Sequence, residues 1–236
     1  LNEAIGREHS TDCEITKKTI SSGKWNKCFP NNFKEIQYGK TSYCTFTFII
    51  DLIEKKLAKK FSVNDIKKIL YEEYSKYLED YSGQIIDILI LEGKQMLGRQ
   101  VKNDELTFIN FIATDNYFLI TLDLWLLVTK FEIPTIFIST TKLLETDNKK
   151  IFFIGYGEEN SDFAFIVIPG LGPENKPAFK LIESKNNDIF IPLSDLLDCE
   201  NKNEIVNAFK NKISIDEFLR DFNPKNIKKK KLKIVD

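Results

Sequence analysis

The sequence predicts an α+β fold, in which a helical layer at about 45–131 packs on a mostly antiparallel sheet at about 133–191. Apolar residues recur at helical spacing through the first half of the chain. After Ile133 they give way to short β-branched and aromatic runs separated by turn residues. The first two of these runs are joined by too few residues for a crossover helix, which favours antiparallel pairing.

The helical layer is predicted to begin after Thr41 and Ser42, which are suitable N-cap residues. Ser82-Gly83 should end the second helix, and Gly98 is a candidate C-cap for the third. The third helix is apolar on most sides, so we expect it to be buried. The predicted helices span residues 45–60, 62–81, 84–97 and, as one or two helices, 104–131.

Five short strands follow, and the last is expected to pair with the fourth through the turn Asn186-Asn187-Asp188. The predicted strands span residues 134–139, 149–155, 162–168, 178–184 and 189–191. Short helical patterns return at 194–197, 204–212 and 216–221. The predicted core residues on the facing sides of helices and strand are Phe46, Ile50, Ile53, Leu126 and Ile136.

We therefore divide the chain into an irregular N-terminal arm at 1–40, a single α+β domain at 41–222 and a basic tail or linker at 223–236. The chain begins with Leu1 and contains one methionine, Met96, so we expect a piece of a larger protein. Its richness in Lys, Asn and Ile suggests a viral or phage parent on composition alone.

The composition excludes several functional classes. Hydrophobic residues make up 42% of the chain and aromatic residues 12%, enough for a substantial core. Lys and Arg number 34 against 35 Asp and Glu, so no overall charge attracts nucleic acid or an anionic membrane. The longest apolar runs, such as 85–91, are far shorter than the roughly 20 residues of a membrane span. We expect no membrane association.

The cysteines do not suggest a metal site or a disulfide framework. They are Cys13, Cys28, Cys44 and Cys199, and no pair has the close spacing of a zinc site. The only histidine is His9. We therefore expect no metal, reduced cysteines and an intracellular location, either host cytoplasm or virion if the parent is viral.

Two other sequence patterns do not indicate a functional site. Gly39-Lys40-Thr41 precedes a helix, but the glycine that a phosphate-binding loop needs is replaced by Lys34. We expect no cofactor. The acidic pairs at 72–73, 79–80 and 158–159 lie among lysines or in a turn, which is typical of solvated surface.

The order of three short segments resembles the ovarian-tumour (OTU) class of deubiquitinating cysteine proteases over about residues 36–170. Tyr43-Cys44-Thr45-Phe46 is similar to the segment in which a cysteine opens the central helix of that family. Residues 123–127 followed by 133–138 resemble its tryptophan-bearing helix and the next strand. Residues 161–165 resemble the strand that begins with the catalytic histidine and an aromatic residue. The resemblance implies an OTU-like fold.

The same comparison predicts that Cys44 is not a working nucleophile. The position of the family's histidine falls at Asp162, or at Ser161 if the alignment is shifted by one residue. A carboxylate is a poor base for a thiol near neutral pH. His9 lies far upstream in a polar arm. We expect a non-catalytic, OTU-like interaction or scaffold domain in which Cys44 packs at a helix start. The alternative is an active cysteine peptidase that uses Cys44, with Asp162 as its partner.

The C-terminal tail carries a basic run that has two interpretations. It can be a linker to another domain, or it can contact phosphate groups and make the chain a nucleic-acid-associated module. The expected partners are therefore other domains of the parent or a separate protein, with nucleic acid as an alternative. The lysines of this run are Lys228, Lys229, Lys230, Lys231 and Lys233.

Overall fold

The computed structural model describes residues 13–20, 26–138, 145–146, 149–150, 152–154, 162–171, 177–199, 202–203, 206 and 213–224. It confirms the α+β class, with helices on one face of a mixed sheet. The helices are α1 (Ser42–Leu57), α2 (Val63–Ser75), α3 (Leu78–Leu91), α4 (Gln95–Lys102), α5 (Phe108–Ala113), α6 (Thr121–Lys130) and α7 (Ile215–Asp221). The strands are β1 (Ile15–Thr19), β2 (Lys34–Tyr38), β3 (Thr135–Ile138), β4 (Glu145–Thr146), β5 (Lys149–Lys150), β6 (Phe152–Ile154), β7 (Phe163–Leu171), β8 (Pro177–Glu183) and β9 (Phe190–Pro192).

The first two helices begin where the capping residues predict. The side chain of Thr41 accepts a hydrogen bond from the backbone N–H of Cys44 and so caps α1. Ser62 and Asp65 form a reciprocal capping box at the start of α2. Helix α1 ends at Leu57, and its C-cap residue Ala58 has a φ of 53°, which places it in the left-handed region.

The boundaries of the next two helices differ from the prediction. Helix α2 ends at Ser75, and Ser82-Gly83 lies inside α3 instead of ending a helix. Gly98 is not a C-cap either, because α3 ends at Leu91 and Gly98 is buried within α4. A Cβ added at Gly98 would lie 2.7 Å from Cγ1 of Ile90. The glycine therefore permits α4 to pack closely on α3.

The described strands of the main sheet follow the order β1-β2-β8-β7-β3-β6, with β9 also paired to β7. All of these pairs are antiparallel except β3 and β7, which run parallel with Ile136 opposite Ile166. The expectation of a mostly antiparallel sheet therefore holds. Strands β4 and β5 form a separate two-stranded sheet.

The pattern of the N-terminal arm allows short strands, and two are present, since β1 and β2 belong to the main sheet. One prediction about strand pairing is corrected. Strand β9 pairs with the start of β7 and not with β8. Its Ile191 lies opposite Ala164 of β7. After the turn that follows Ser184, the chain does not fold back to pair with β8. It continues to pair with β7, nearer the start of that strand.

The core lies on both faces of the sheet. One cluster fills the space between the helices and the sheet, and it includes Phe46, Ile53 and Leu126. A smaller cluster covers the opposite face and includes Phe29, Phe33 and Ile136. Four of the five predicted core residues are therefore buried, whereas Ile50 is only partly buried.

The C-terminal elements agree with the prediction only in part. A 3-10 turn at Leu193–Asp195 replaces the helix expected at 194–197, and α7 lies where a helix was expected at 216–221. Most of the predicted helix at 204–212 and the basic run at 228–233 fall outside the described residues. Among the described residues no helix has both the length and the apolar character needed to cross a membrane.

Candidate functional site

Cys44 is the third residue of α1 and is buried, which confirms its predicted position at a helix start. Its sulfur is bonded to the sulfur of Cys13, and the two Cα atoms are 5.2 Å apart. The bond connects the chain just before β1 to the first turn of α1. In this structure Cys44 therefore has no thiol that could act as a nucleophile.

A second disulfide joins Cys28 to Cys199, with Cα atoms 5.4 Å apart. The expectation of four reduced cysteines is therefore wrong for the structure. The paired cysteines are 31 and 171 residues apart in sequence. Pairs this distant have no local spacing pattern, and only the folded sheet brings them together.

The sulfur of Cys44 lies in a tightly packed environment. The hydroxyl of Thr41 donates a hydrogen bond to Sγ of Cys44 over 3.1 Å. A Cβ added at Gly39 would lie 2.8 Å from Sγ of Cys44 and 3.6 Å from Sγ of Cys13. Gly39 thus leaves the space that the disulfide occupies. In the Gly39-Lys40-Thr41 segment, Gly39 makes room for the disulfide and Thr41 caps α1.

The structure places Asp162 far from Cys44. Asp162 is exposed and directly precedes β7, whose first residues pair with β9. The ammonium of Lys56, near the end of α1, lies 5.0 Å from the ring centre of Phe190 in β9. With a helical rise of about 1.5 Å per residue, Cys44 and Lys56 are about 18 Å apart along α1. Asp162 and Cys44 are therefore at opposite ends of α1 and form no catalytic pair.

In the part of the chain that the structure describes, several ionisable side chains meet at Asp123, at the start of α6. Its carboxylate accepts hydrogen bonds from the hydroxyls of Tyr74, at 2.5 Å, and Tyr117, at 3.1 Å. It also accepts one from the ammonium of Lys94 at 3.1 Å and one from the backbone N–H of Ile120 at 2.8 Å. We call this group, with the neighbouring Glu92, the Asp123 cluster.

Lys94 and Glu92 reach this cluster from the turn between α3 and α4. The ammonium of Lys94 lies 3.4 Å from the ring centre of Tyr117, so it contacts both a carboxylate and an aromatic face. The carboxylate of Glu92 accepts a hydrogen bond from the backbone N–H of Thr121 at 2.8 Å. The two side chains bind the α3–α4 turn to the first turn of α6.

Burial shifts the ionisation of these groups. It raises the pKa of Glu92 to about 7, an effect that the hydrogen bonds from Thr121 oppose. Burial lowers the pKa of Lys94 to about 8, while the negative charge of Asp123 acts in the opposite direction. The pKa values of Tyr74 and Tyr117 are both raised well above their ordinary value, first by burial and then by Asp123.

A lysine and a carboxylic acid with shifted pKa values, such as Lys94 and Glu92, are typical of active sites. Glu92 is half-buried, but the two charged groups at the centre of the cluster are closed off from solvent. The side chain of Lys94 is 1% exposed and that of Asp123 is 0% exposed. A substrate cannot reach either group without opening the helical layer. The cluster therefore joins α2, α6 and the α3–α4 turn through satisfied polar contacts.

Sequence reasoning missed the Asp123 cluster, although the sequence carries a signal for it. Asp123 is a lone charge in the apolar segment 119–128, and a charged residue on the buried side of such a helix must find partners. Lys94 lies within a segment whose periodicity predicts a mostly apolar helix. Periodicity alone does not show that these two charges are buried together.

One of the acidic pairs differs from its prediction. Glu72, Glu79 and Asp80 are exposed, as expected of a solvated face. Glu73 is buried, and its carboxylate pairs with Lys76 at 2.5 Å and Lys130 at 3.6 Å. The pair at 158–159 lies outside the described residues. No group of three or more metal-ligating side chains occurs in the part of the chain that the structure describes.

Two buried carboxylates also lie on strands β2 and β8. Glu35 pairs with Lys180 at 2.7 Å, and Glu183 pairs with Lys17 of β1 at 2.6 Å. Oε2 of Glu183 is buried without a hydrogen-bond partner. The ion pair between Lys17 and Glu183 is thus a specific contact between β1 and β8, with β2 between them.

The comparisons with known proteins add no relative. No protein-family model, curated protein or solved structure matches the chain. The resemblance to the OTU class therefore stays a prediction that rests on the order of short segments.

Proposed function

We propose that this chain is a non-catalytic interaction or scaffold domain with an OTU-like arrangement, part of a larger protein for which composition favours a viral or phage origin. One observation carries the non-catalytic part of the proposal. The sulfur of Cys44 is bonded to Cys13, and Asp162, which takes the place of the family's histidine, lies at the other end of α1.

The chemistry of thiol catalysis supports the same conclusion. A catalytic thiolate needs a base within hydrogen-bond reach, about 3 Å from the sulfur. The described contact of the Cys44 sulfur, besides Cys13, is the hydroxyl of Thr41, which is not a base near neutral pH. Reduction of the disulfide would free a thiol but would not bring Asp162 to it.

The buried charged groups that the structure describes also favour a function carried out by the surface of the domain. The buried charges at Lys94, Asp123 and Glu73 are all paired with neighbouring side chains. They hold elements together and do not line an opening. We therefore place the function of the domain in contacts made by its surface with another domain or protein.

The test is a peptidase assay on the intact chain in oxidised and in reduced form. We expect no cleavage of ubiquitin conjugates and no covalent product with a ubiquitin-derived electrophilic probe in either form. Rapid probe labelling in the reduced form that disappears in Cys44→Ala would establish the active peptidase instead. Asp162→Ala serves as the second variant, since loss of labelling there would show that the two residues act together.

The scaffold part of the proposal needs a separate measurement. A purified protein or domain that binds the chain should bind wild type and Cys44→Ala with the same Kd, because the contact is made by the surface and not by the thiol. Loss of binding in Cys44→Ala, at an unchanged melting temperature, would contradict the scaffold proposal.

The location of the protein is also a proposal. The sequence predicts an intracellular site, whereas disulfides persist mainly in oxidising compartments. The two disulfides of the structure argue against a permanently reducing location. Alkylation of the four cysteines in intact cells, before lysis, would decide between the two.

A further inference from the structure

We propose that the Cys13–Cys44 disulfide is a thiol–disulfide exchange site, reduced by a small thiol or a dithiol, and that its reduction loosens β1. The Cys28–Cys199 disulfide is structural in this proposal. The inference goes beyond the interaction role and does not depend on it.

The two sulfurs of the exchange site differ in access. Cys13 is partly exposed and precedes β1, an edge strand that is itself mostly exposed. Cys44 is 1% exposed. A thiolate from solution therefore reaches the sulfur of Cys13 first, and Cys44 is the leaving group.

The first turn of α1 stabilises Cys44 in that role. The N-terminus of a helix carries a partial positive charge that favours a thiolate at its first residues. Cys44 is the third residue of α1, and the hydroxyl of Thr41 donates to its sulfur over 3.1 Å. Exchange is faster when the leaving thiolate is more stable, so both features promote attack at Cys13.

The reaction balances in two steps. The thiolate of the reductant attacks Sγ of Cys13, a mixed disulfide forms there, and the bond to Cys44 breaks with its electron pair on Cys44. A second thiol of the reductant then attacks the mixed disulfide and releases the thiolate of Cys13. The reductant's two thiols become one disulfide, and their two protons end on Cys13 and Cys44 or in solvent, depending on pH.

The second disulfide lacks this leaving group. Cys28 is 0% exposed and belongs to the apolar cluster that includes Phe29 and Phe33. It ends a 3-10 turn at Asn26–Cys28, and no α-helix begins at it. A thiolate released into apolar surroundings is destabilised. Cys44 is also buried among apolar residues, but its sulfur has the start of α1 and the Thr41 hydroxyl beside it. Since no α-helix begins at Cys28, exchange there should be slower.

Reduction changes what holds β1 on the sheet. Among the described strands, β1 pairs with β2 alone, through five residues, and its Lys17 pairs with Glu183. The disulfide is the covalent connection between the start of this strand and α1. Without it the short exposed ladder is left to hold β1, and such ladders open readily.

The experiment treats the oxidised intact chain with glutathione at pH 7, alkylates released thiols with iodoacetamide at intervals, and locates both modifications by peptide mass spectrometry. We expect Cys44 to be alkylated at least about tenfold faster than Cys28, with glutathione found on Cys13 in the early samples. Equal rates for the two disulfides, or glutathione first on Cys44, would overturn the proposal.

Variants at Thr41 test the leaving group. Thr41→Val removes the hydroxyl and should slow the release of Cys44 about threefold or more, whereas Thr41→Ser should keep the wild-type rate. Thr47→Val is the matched control, since the Thr47 hydroxyl donates to the backbone of Tyr43 on the same helix. If Thr41→Val folds and releases Cys44 at the wild-type rate, Thr41 does not stabilise the leaving thiolate. If this variant does not fold, the order in which Cys44 and Cys28 are alkylated in the wild type decides the proposal.

Hydrogen exchange tests the consequence for β1. After selective reduction, amides of 15–19 should exchange about tenfold faster or more, while those of α6 keep their protection. Unchanged protection of β1 would show that the disulfide does not hold the strand. These experiments and the ubiquitin-probe assay test different proposals. The probe assay measures the reaction of Cys44 with ubiquitin, so its result does not depend on whether the disulfide exchanges with a thiol.

Discussion

The Cys13–Cys44 disulfide leaves no room for a side chain at Gly39. A methyl group at this position would lie 2.8 Å from Sγ of Cys44, closer than normal van der Waals packing allows. We expect Gly39→Ala to lower the melting temperature and to leave a fraction of the chains with free thiols at Cys13 and Cys44, because the disulfide must move to accommodate it. Thermal melting and thiol counting on unfolded, non-reduced protein measure the two effects.

Gly83→Ala is the matched control for Gly39→Ala. Gly83 is exposed within α3, and an added Cβ meets nothing within 4 Å. Because alanine favours a helix over glycine, this variant should gain about 0.5–1 kcal/mol in free energy of unfolding. If both substitutions had the same effect, crowding at the disulfide would not be the cause at Gly39.

Glu92 predicts a pH dependence of stability. Its ordinary pKa is 4.5, and burial raises the pKa to about 7 in the folded state. Below pH 4.5 the carboxyl is protonated in both states. As the pH rises towards 7 the unfolded state loses the proton more readily, so the free energy of unfolding falls. Glu92→Gln should remove at most about 3 kcal/mol of this decline.

The measurement is urea unfolding at pH 5, 6 and 7 for wild type, Glu92→Gln and the exposed control Glu72→Gln. Lys94 does not interfere in this range, because its lowered pKa of about 8 affects stability only at higher pH. There, stability should rise as the pH increases from about 8, since the folded lysine loses its proton first. Parallel pH profiles for wild type and Glu92→Gln would refute the assignment.

At the scale of single elements, local signals predict a helix or strand and non-local contacts decide how it is used. The caps at Thr41 and Ser62 are set by neighbouring residues, and the starts of α1 and α2 follow from them. Gly98 gives the same local signal as a C-cap, yet it lies inside α4 because Ile90 of α3 needs the space. Nothing within a few residues of Gly98 distinguishes the two roles.

In the sheet, too, local sequence marks the strands and non-local contacts decide their partners. The composition of β3, β7 and β8 marks them as strands, but the partner of β9 depends on the register between distant segments. The disulfides are equally non-local. Their cysteines meet because β1, β2 and the segment after β9 come together in the fold, which composition and spacing do not indicate.

Helix α1 provides a direct test of the core assignment. Ile53 is 0% exposed between the helices and the sheet, whereas Leu57 on the same helix is 43% exposed. Ile53→Ala should therefore lower the free energy of unfolding by about 2–5 kcal/mol, through lost burial and the cavity that remains. Leu57→Ala should cost much less, because little of its apolar area is buried against the core.

Chemical denaturation of both variants in the oxidised protein makes the comparison. Equal losses for Ile53→Ala and Leu57→Ala would show that the faces of α1 are wrongly assigned.

For the whole molecule, the order of segments predicted the layers and the position of Cys44 at a helix start. It did not predict that the sulfur of Cys44 is bonded, or that Tyr74, Lys94 and Tyr117, with pKa values shifted by burial, gather around Asp123. Both features depend on which segments become neighbours after folding. Paired charges inside a domain also look the same in sequence as charges on its surface.

The basic run near the C-terminus carries the remaining prediction for the whole chain, which concerns nucleic acid. Six lysines fall within residues 225–233, while the chain as a whole has a net charge of −1. Any affinity for DNA should therefore come from this run and should weaken steeply with salt, because each bound phosphate group releases condensed counterions. Deletion of residues 225–236 should abolish binding at about 50 mM salt, where such electrostatic binding is strong.

The control replaces four exposed lysines elsewhere in the intact chain with glutamine, namely Lys55, Lys56, Lys59 and Lys60. It should keep the affinity, whereas replacement of the four lysines at 228–231 with glutamine should lower both the affinity and the slope of log K against log salt. The slope should fall by about 0.9 for each phosphate group that the protein no longer neutralises. Fluorescence anisotropy with a short duplex measures both quantities. Binding that survives the deletion with an unchanged slope would place the DNA-binding surface on the folded domain, and an intact chain that binds no DNA would leave the run as a linker.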